Sequence, residues 1–192
     1  HRAVELPLCQ ACFKLAPALA AGCTVVLKPA EQTPLSALYL GRLALEAGIP
    51  PGVLNVLPGF GATTGEALIS HPGVDKIAFT GSEKTGKHIA RTAAGSLKHV
   101  SLELGGKNPN VIFADADVDA AAAVAAIAIF FYSGQVCAAG SRLMVERPVY
   151  DRVVETLAAE AGKLKLGHGL AADTFMGPLV SAQQLERVAG FV

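Results

Sequence analysis

Net charge is the first thing this sequence lacks. Sixteen basic residues are matched by sixteen acidic ones, and the pI falls near 7.1. Such a balance leaves no electrostatic footprint for nucleic acid or for an anionic membrane surface. Long apolar runs are missing too. The longest, residues 15–27 and 120–132, fall short of the roughly 18 residues that suggest a membrane span and are interspersed with small residues that suit a buried core.

Metal-ligand and disulfide patterns are also absent. The four cysteines, Cys9, Cys12, Cys23 and Cys137, give neither a disulfide framework nor a zinc spacing. Cys9-Gln10-Ala11-Cys12 has the form C-x-x-C, but no second pair and no histidine accompany it. The expectation is two buried helical cysteines rather than a redox or metal motif. The five histidines, His1, His71, His88, His99 and His168, share no ligand spacing, so no metal site is expected. With no recognisable secretion signal, a reducing, cytoplasmic setting is expected.

Charge of either sign is scarce. Charged residues make up 17% and apolar ones 52%, against about 25% charged in an ordinary domain, and mean hydropathy is +0.43. A chain this apolar is expected to be covered by a partner subunit or by further parts of its own chain. The start at His1 and the apolar end at Phe191-Val192 fit a piece of a longer protein.

What is present is an alternation. Residues 8–21 read as an apolar helix interrupted by Pro17, and residues 23–27 as a short buried strand. Thr33-Pro34 opens the next helix, with Thr33 as N-cap and Pro34 in the first turn; Gly48 closes it. Residues 53–57 form a strand, 63–70 a helix, 76–80 a strand, 82–94 a helix and 100–104 a strand. After Pro109 come a strand at 110–113, an alanine-rich helix to about Phe131, a strand at 143–146, and helices at 149–163 and 182–188. Strands and helices alternating at this spacing predict an α/β fold with a parallel sheet and helices on its faces. Ligands of such sheets bind beyond the carboxyl ends of the strands.

The chemistry-bearing residues fall at those ends. Glu103 follows three residues of the 100–104 strand, near its carboxyl end, where an ionisable group is costly unless paired or used. Cys137 stands in a loop between Gly134 and Gly140, and a thiol and a carboxylate brought together supply a nucleophile and a base. Lys28 and Glu31 can clamp hydroxyls, since an ammonium donates and a carboxylate accepts; a solvated loop is the competing reading. Gly81-Ser82-Glu83-Lys84-Thr85-Gly86-Lys87 can seat an anion between a strand and a helix. It also meets most of the nucleotide P-loop pattern, but His88 stands where that pattern needs a hydroxyl.

Six ordered strings resemble the NAD(P)-dependent aldehyde dehydrogenase family: residues 15–19 (LAPAL), 26–31 (VLKPAE), 79–82 (FTGS), 102–107 (LELGGK), 134–137 (GQVC) and 176–179 (MGPL). The resemblance implies a Rossmann-like cofactor portion over residues 1–105 and the start of a catalytic domain over residues 106–192. It implies Cys137 as the nucleophile that forms a thiohemiacetal and then a thioester, and Glu103 as the activator of the hydrolytic water. It also implies NAD, rather than NADP, bound by Lys28, Glu31, Gly81, Ser82, Leu104 and Gly105, with Glu31 repelling the extra phosphate of NADP. A small-molecule aldehyde substrate, akin to those of the aromatic-aldehyde members, and a homo-oligomeric full-length protein are implied as well. Two residues depart from the family pattern. Glu5 replaces the Asn whose amide donates to the oxyanion, a donor worth about 2.7–4 kcal/mol, and Tyr132 stands where an Asn is usual. The competing expectations are a P-loop NTPase and an inactive fragment serving only as an assembly module.

Overall fold

The computed structural model describes residues 6–192, and Glu5 lies outside them. The chain divides into two compact units, one ending at Leu104 and the other beginning at Gly105.

The first unit starts with helix α1 (Pro7–Ala20), followed by β1 (Val25–Leu27), α2 (Leu35–Glu46) and β2 (Leu54–Val56). A wide helical turn at Gly61–Gly65 runs into α3 (Glu66–Ser70), and β3 (Lys76–Gly81), α4 (Glu83–Ala94) and β4 (His99–Leu104) complete the unit. All pairing is parallel. Strand β1 pairs with β2, Val26 opposite Asn55, and β3 pairs with β4, Thr80 opposite Glu103. Parallel neighbours need a crossover, and α2 and α4 supply one for each pair.

Glycines make the helix ends. Gly48 adopts a φ of +88°, and the Ile49 N–H donates back to the Ala44 carbonyl at 2.9 Å, the left-handed stop that lacks a Cβ penalty. Helix α4 turns Gly86, Ile89 and Ala93 inward. A Cβ at Gly86 would sit 2.7 Å from Leu104 Cδ2, so this glycine sets how closely α4 lies on β4.

The second unit contains β5 (Pro109–Ile112), α5 (Val118–Phe130), β6 (Arg142–Val145), α6 (Tyr150–Gly162) and α7 (Ala182–Ala189). Strands β5 and β6 are parallel. Their inner residues pack with α5 and α6 around Ile112, Val118, Ala122 and Val153. Asp117 caps α5 by accepting the Ala120 N–H at 3.2 Å, which satisfies a donor that the helix start leaves open.

Three local expectations are corrected. Helix α1 runs through Pro17 without a break: Pro17 removes one N–H, and the helix ends three residues later. Thr33 does not cap α2; its hydroxyl is buried without a hydrogen-bond partner. Cys9 and Cys12 are helical but exposed, because α1 buries the face of Ala11 and Leu15. The excess of apolar residues remains visible at the surface, with Leu35, Phe13 and Phe113 more than 60% exposed.

Candidate functional site

The carboxyl ends of β3 and β4 carry a polar cluster. Lys14 Nζ, from α1, donates to Thr80 Oγ1 at 2.7 Å, and Thr80 Oγ1 donates to Gln10 Oε1 at 3.2 Å. Residues 66 to 70 positions apart in sequence are thereby joined over the strand ends. Thr80 is the register partner of Glu103. Burial pushes the Lys14 ammonium below its ordinary value, and the negative charge of Glu103 opposes that shift. Glu103 itself is exposed, so the desolvation penalty expected for it at a strand end does not arise within this unit; what it has is a cation in its field.

A second cluster forms beyond β1 and β2. Lys28 Nζ donates to the Pro29 carbonyl at 2.8 Å and to the Gly59 carbonyl at 3.0 Å. An ammonium has three N–H donors, so one is left to reach a ligand. Burial lowers the Lys28 pKa, and the Glu31 carboxylate pulls the other way. The turn that Lys28 grips depends on Gly59. Its φ is +154°, and a Cβ there would meet Thr64 Oγ1 at 2.0 Å.

The β3–α4 junction holds Gly81 and Ser82. Ser82 Oγ accepts the Thr85 N–H at 3.2 Å and shares a 2.9 Å hydrogen bond with Thr85 Oγ1. The first helical bond runs from the Gly86 N–H to the Ser82 carbonyl. The N–H groups of Glu83 and Lys84 therefore have no acceptor within the helix, which makes this end a favourable place for an anion. The P-loop expectation fails here. Only Ser82 separates strand from helix, so no loop wraps a triphosphate, and Lys87 is in the second turn of α4, paired with Glu83 at 2.5 Å. Leu104 packs beneath α4 at Gly86, and Gly105 follows it at the start of the second unit.

Cys137 belongs to that second unit, half-buried in the loop before β6. Asn108 Nδ2 donates to the Cys137 carbonyl at 2.6 Å and to the Ala139 carbonyl at 3.4 Å. The Arg142 N–H returns to the Asn108 carbonyl at 3.1 Å. The approach to the loop is strained: Tyr132 and Ser133 have φ of +48° and +58°, ahead of Gly134 at +70°. Non-glycine residues held in this region cluster at functional sites. Ser133 Oγ then donates to the Gly177 carbonyl at 3.3 Å, tying the loop to the 176–179 string.

Lys14, Gln10, Gly59 and Asn108 carry contacts that the sequence patterns did not point to. A signal for Lys14 was present, since it is the one charged residue between Glu5 and Lys28. Gly59-Phe60-Gly61 after β2 is a strand-to-helix glycine pattern of the kind that admits a phosphate. No group of three or more potential metal ligands exists among the described residues, and no described helix is long and apolar enough to cross a membrane.

The profile described as the aldehyde dehydrogenase family matches residues 4–192. Phenylacetaldehyde dehydrogenase of Pseudomonas fluorescens is 54% identical over 184 residues, covering 96% of this chain and 37% of that protein. Aldehyde dehydrogenase 1A1 of Gallus gallus is 52% identical over 190 residues, covering 98% and 37%. The NAD+ complex of an aldehyde dehydrogenase from Bacillus cereus superposes with a TM-score of 0.94 at 52% identity, covering 97% of this chain and 38% of that one. The chain thus spans less than two fifths of the length of these relatives.

Proposed function

The chain belongs to the aldehyde dehydrogenase family, and from that premise we propose that it carries the nucleophile, the general base and part of the NAD site of an enzyme that oxidises an aldehyde to a carboxylic acid. The observation that carries the proposal is the Cys137 loop. Its carbonyl is pinned by Asn108 and its entry is a strained left-handed turn, an arrangement that fixes where a thiol points.

In this reading the Cys137 sulfur, as thiolate, forms a bond to the aldehyde carbonyl carbon. Bound NAD supplies a two-electron acceptor for the hydride. Once that hydride is lost, Cys137 holds the acyl group as a thioester. Glu103 takes a proton from water, the water oxygen attacks the acyl carbon, and the Cys137 thiolate leaves. Lys14 stands by as a cation, its pKa lowered by burial with the negative charge of Glu103 opposing that shift.

The dinucleotide assignment fits two features. The third N–H of Lys28 and the carboxylate of Glu31 suit ribose hydroxyls, with Glu31 repelling a 2′-phosphate and so favouring NAD over NADP. The Ser82 end of α4 suits the pyrophosphate, beside Gly81, Leu104 and Gly105. Residues up to Gly105 form the cofactor-binding domain in this proposal, and those from Gly106 begin the catalytic one.

An aryl-substituted aldehyde is the proposed substrate, on the strength of the Phe130-Phe131-Tyr132 run before the nucleophile loop and of the Pseudomonas fluorescens relative. A homo-oligomer is proposed for the full-length protein, to cover the apolar side chains that stay exposed. A reducing, cytoplasmic setting is proposed on the four free thiols.

A hybrid tests this: residues 6–192 replace the matching segment of the Bacillus cereus enzyme. It is expected to form NADH and phenylacetic acid one for one from phenylacetaldehyde, and to prefer NAD to NADP. A folded hybrid that binds NAD but forms no acid would contradict the proposal.

A further inference from the structure

We propose that Glu66 and His88 form a clasp between α3 and α4 that holds the Lys28 seat at a fixed place relative to the Ser82 end of α4. The inference rests on the dinucleotide reading given above. His88 Nε2 lies 2.7 Å from Glu66 Oε2, and because a carboxylate oxygen only accepts, the imidazole donates. The bond spans β3 and joins residues 22 positions apart. Helix α3 has five residues and no side-chain cap at Gly65, and so short a helix does not hold itself in place. Its position is set by what it touches: Ile69, its buried residue, and the Glu66 bond to α4.

Each end of the clasp leads to a residue assigned to the cofactor. Glu66 directly follows the wide turn Gly61–Gly65, a helical form that is rare and frequent at functional sites. The Gly65 N–H closes that turn on the Phe60 carbonyl at 3.2 Å. Lys28 meets it at both ends. Its Nζ donates to the Gly59 carbonyl at 3.0 Å, and its Cε lies 3.7 Å from the place that a Cβ on Gly65 would take. A shift of Glu66 is therefore a shift of Gly65 and of the Lys28 seat. His88 follows Ser82 by six residues on α4, about 9 Å along the helix axis. A dinucleotide has to meet Lys28 and Ser82 at one separation, and the clasp is a side-chain bond that fixes it. Glu66 and His88 act through these neighbours, as positioning residues.

Calorimetric titration of the Bacillus cereus hybrid with NAD tests the clasp. Glu66→Ala and His88→Ala are each expected to raise the Kd for NAD about three- to fivefold, as far as a half-exposed pair reaches. The double variant should be no weaker than either single one, because losing one partner already breaks the bond. Glu66→Gln should regain most of the loss, since its amide oxygen still accepts the imidazole N–H. Glu66→Met has the same length without the acceptor, and should bind as weakly as Glu66→Ala. An unchanged Kd in either alanine variant, a double variant whose loss is the product of the two, or a Glu66→Met that binds as tightly as Glu66→Gln would overturn the clasp. A folded parent hybrid that binds no NAD would overturn the dinucleotide reading, and the clasp with it.

Discussion

Lys14 Nζ donates to Thr80 Oγ1 at 2.7 Å, so a helix that opens the chain is tied to the strand end opposite Glu103. Replacing Lys14 with Met keeps the length of the side chain and removes the donor. Hydrogen bonds from charged groups contribute about 1.5–3 kcal/mol, and the partial exposure of this one points to the lower end. Urea unfolding of Lys14→Met should show a lower midpoint with an unchanged slope. A midpoint equal to that of the parent would mean that the contact does not hold α1 in place.

Gly59 carries the turn that Lys28 grips. Gly59→Ala forces a Cβ against Thr64 Oγ1, at 2.0 Å, at a φ that L side chains rarely adopt. Strain of about 1–3 kcal/mol is expected, read as a lower unfolding midpoint. Calorimetry of the NAD hybrid should show weakened binding alongside, because the Lys28 ammonium loses its seat on the Gly59 carbonyl.

Tyr132 stands in left-handed backbone at φ +48°, a region that Asn tolerates far better than a bulky residue. Tyr132→Asn should therefore raise stability by about 1 kcal/mol, less whatever the edge-on contact with Phe131, centroids 4.2 Å apart, contributes. A Tm that falls would show the ring contact to outweigh the backbone strain.

The second unit has an acid-sensitive tie. Arg152 donates to both oxygens of Asp119, at 2.9 and 2.5 Å, and these bonds hold the Asp119 carboxyl below its ordinary value. A depressed folded pKa stabilises above the unfolded pKa and stops doing so as pH falls through the folded one. The stability gap between the parent and Asp119→Asn should be constant above about pH 4 and shrink steadily below it. A gap that is independent of pH would assign the difference to something other than this pair.

Much of the fold was legible because its signals are local. Strand and helix alternation and the Gly48 stop are written within a few residues of where they act. Glu103 and Cys137 stood out for the same reason, each placed beside a strand or in a glycine-flanked loop. What was not legible depends on distant partners. The burial of Lys14 and its bond to Thr80 join positions 66 apart, and no local pattern announces them. Cys9 and Cys12 were read as buried because their segment is apolar, yet composition does not say which face of α1 turns inward. Thr33 followed a sound capping rule, but a hydroxyl caps only when a helix N–H is within reach, and here it has no partner.

In the proposed function Cys137 carries the acyl group and Glu103 removes it by activating water. Glu103→Gln in the Bacillus cereus hybrid should stop hydrolysis after acyl transfer. Phenylacetaldehyde and NAD would then give one burst of NADH and an acyl group attached to Cys137, found by mass on tryptic peptide 108–142. Acyl mass on another residue, or full turnover in Glu103→Gln, would rule out these roles for Cys137 and Glu103.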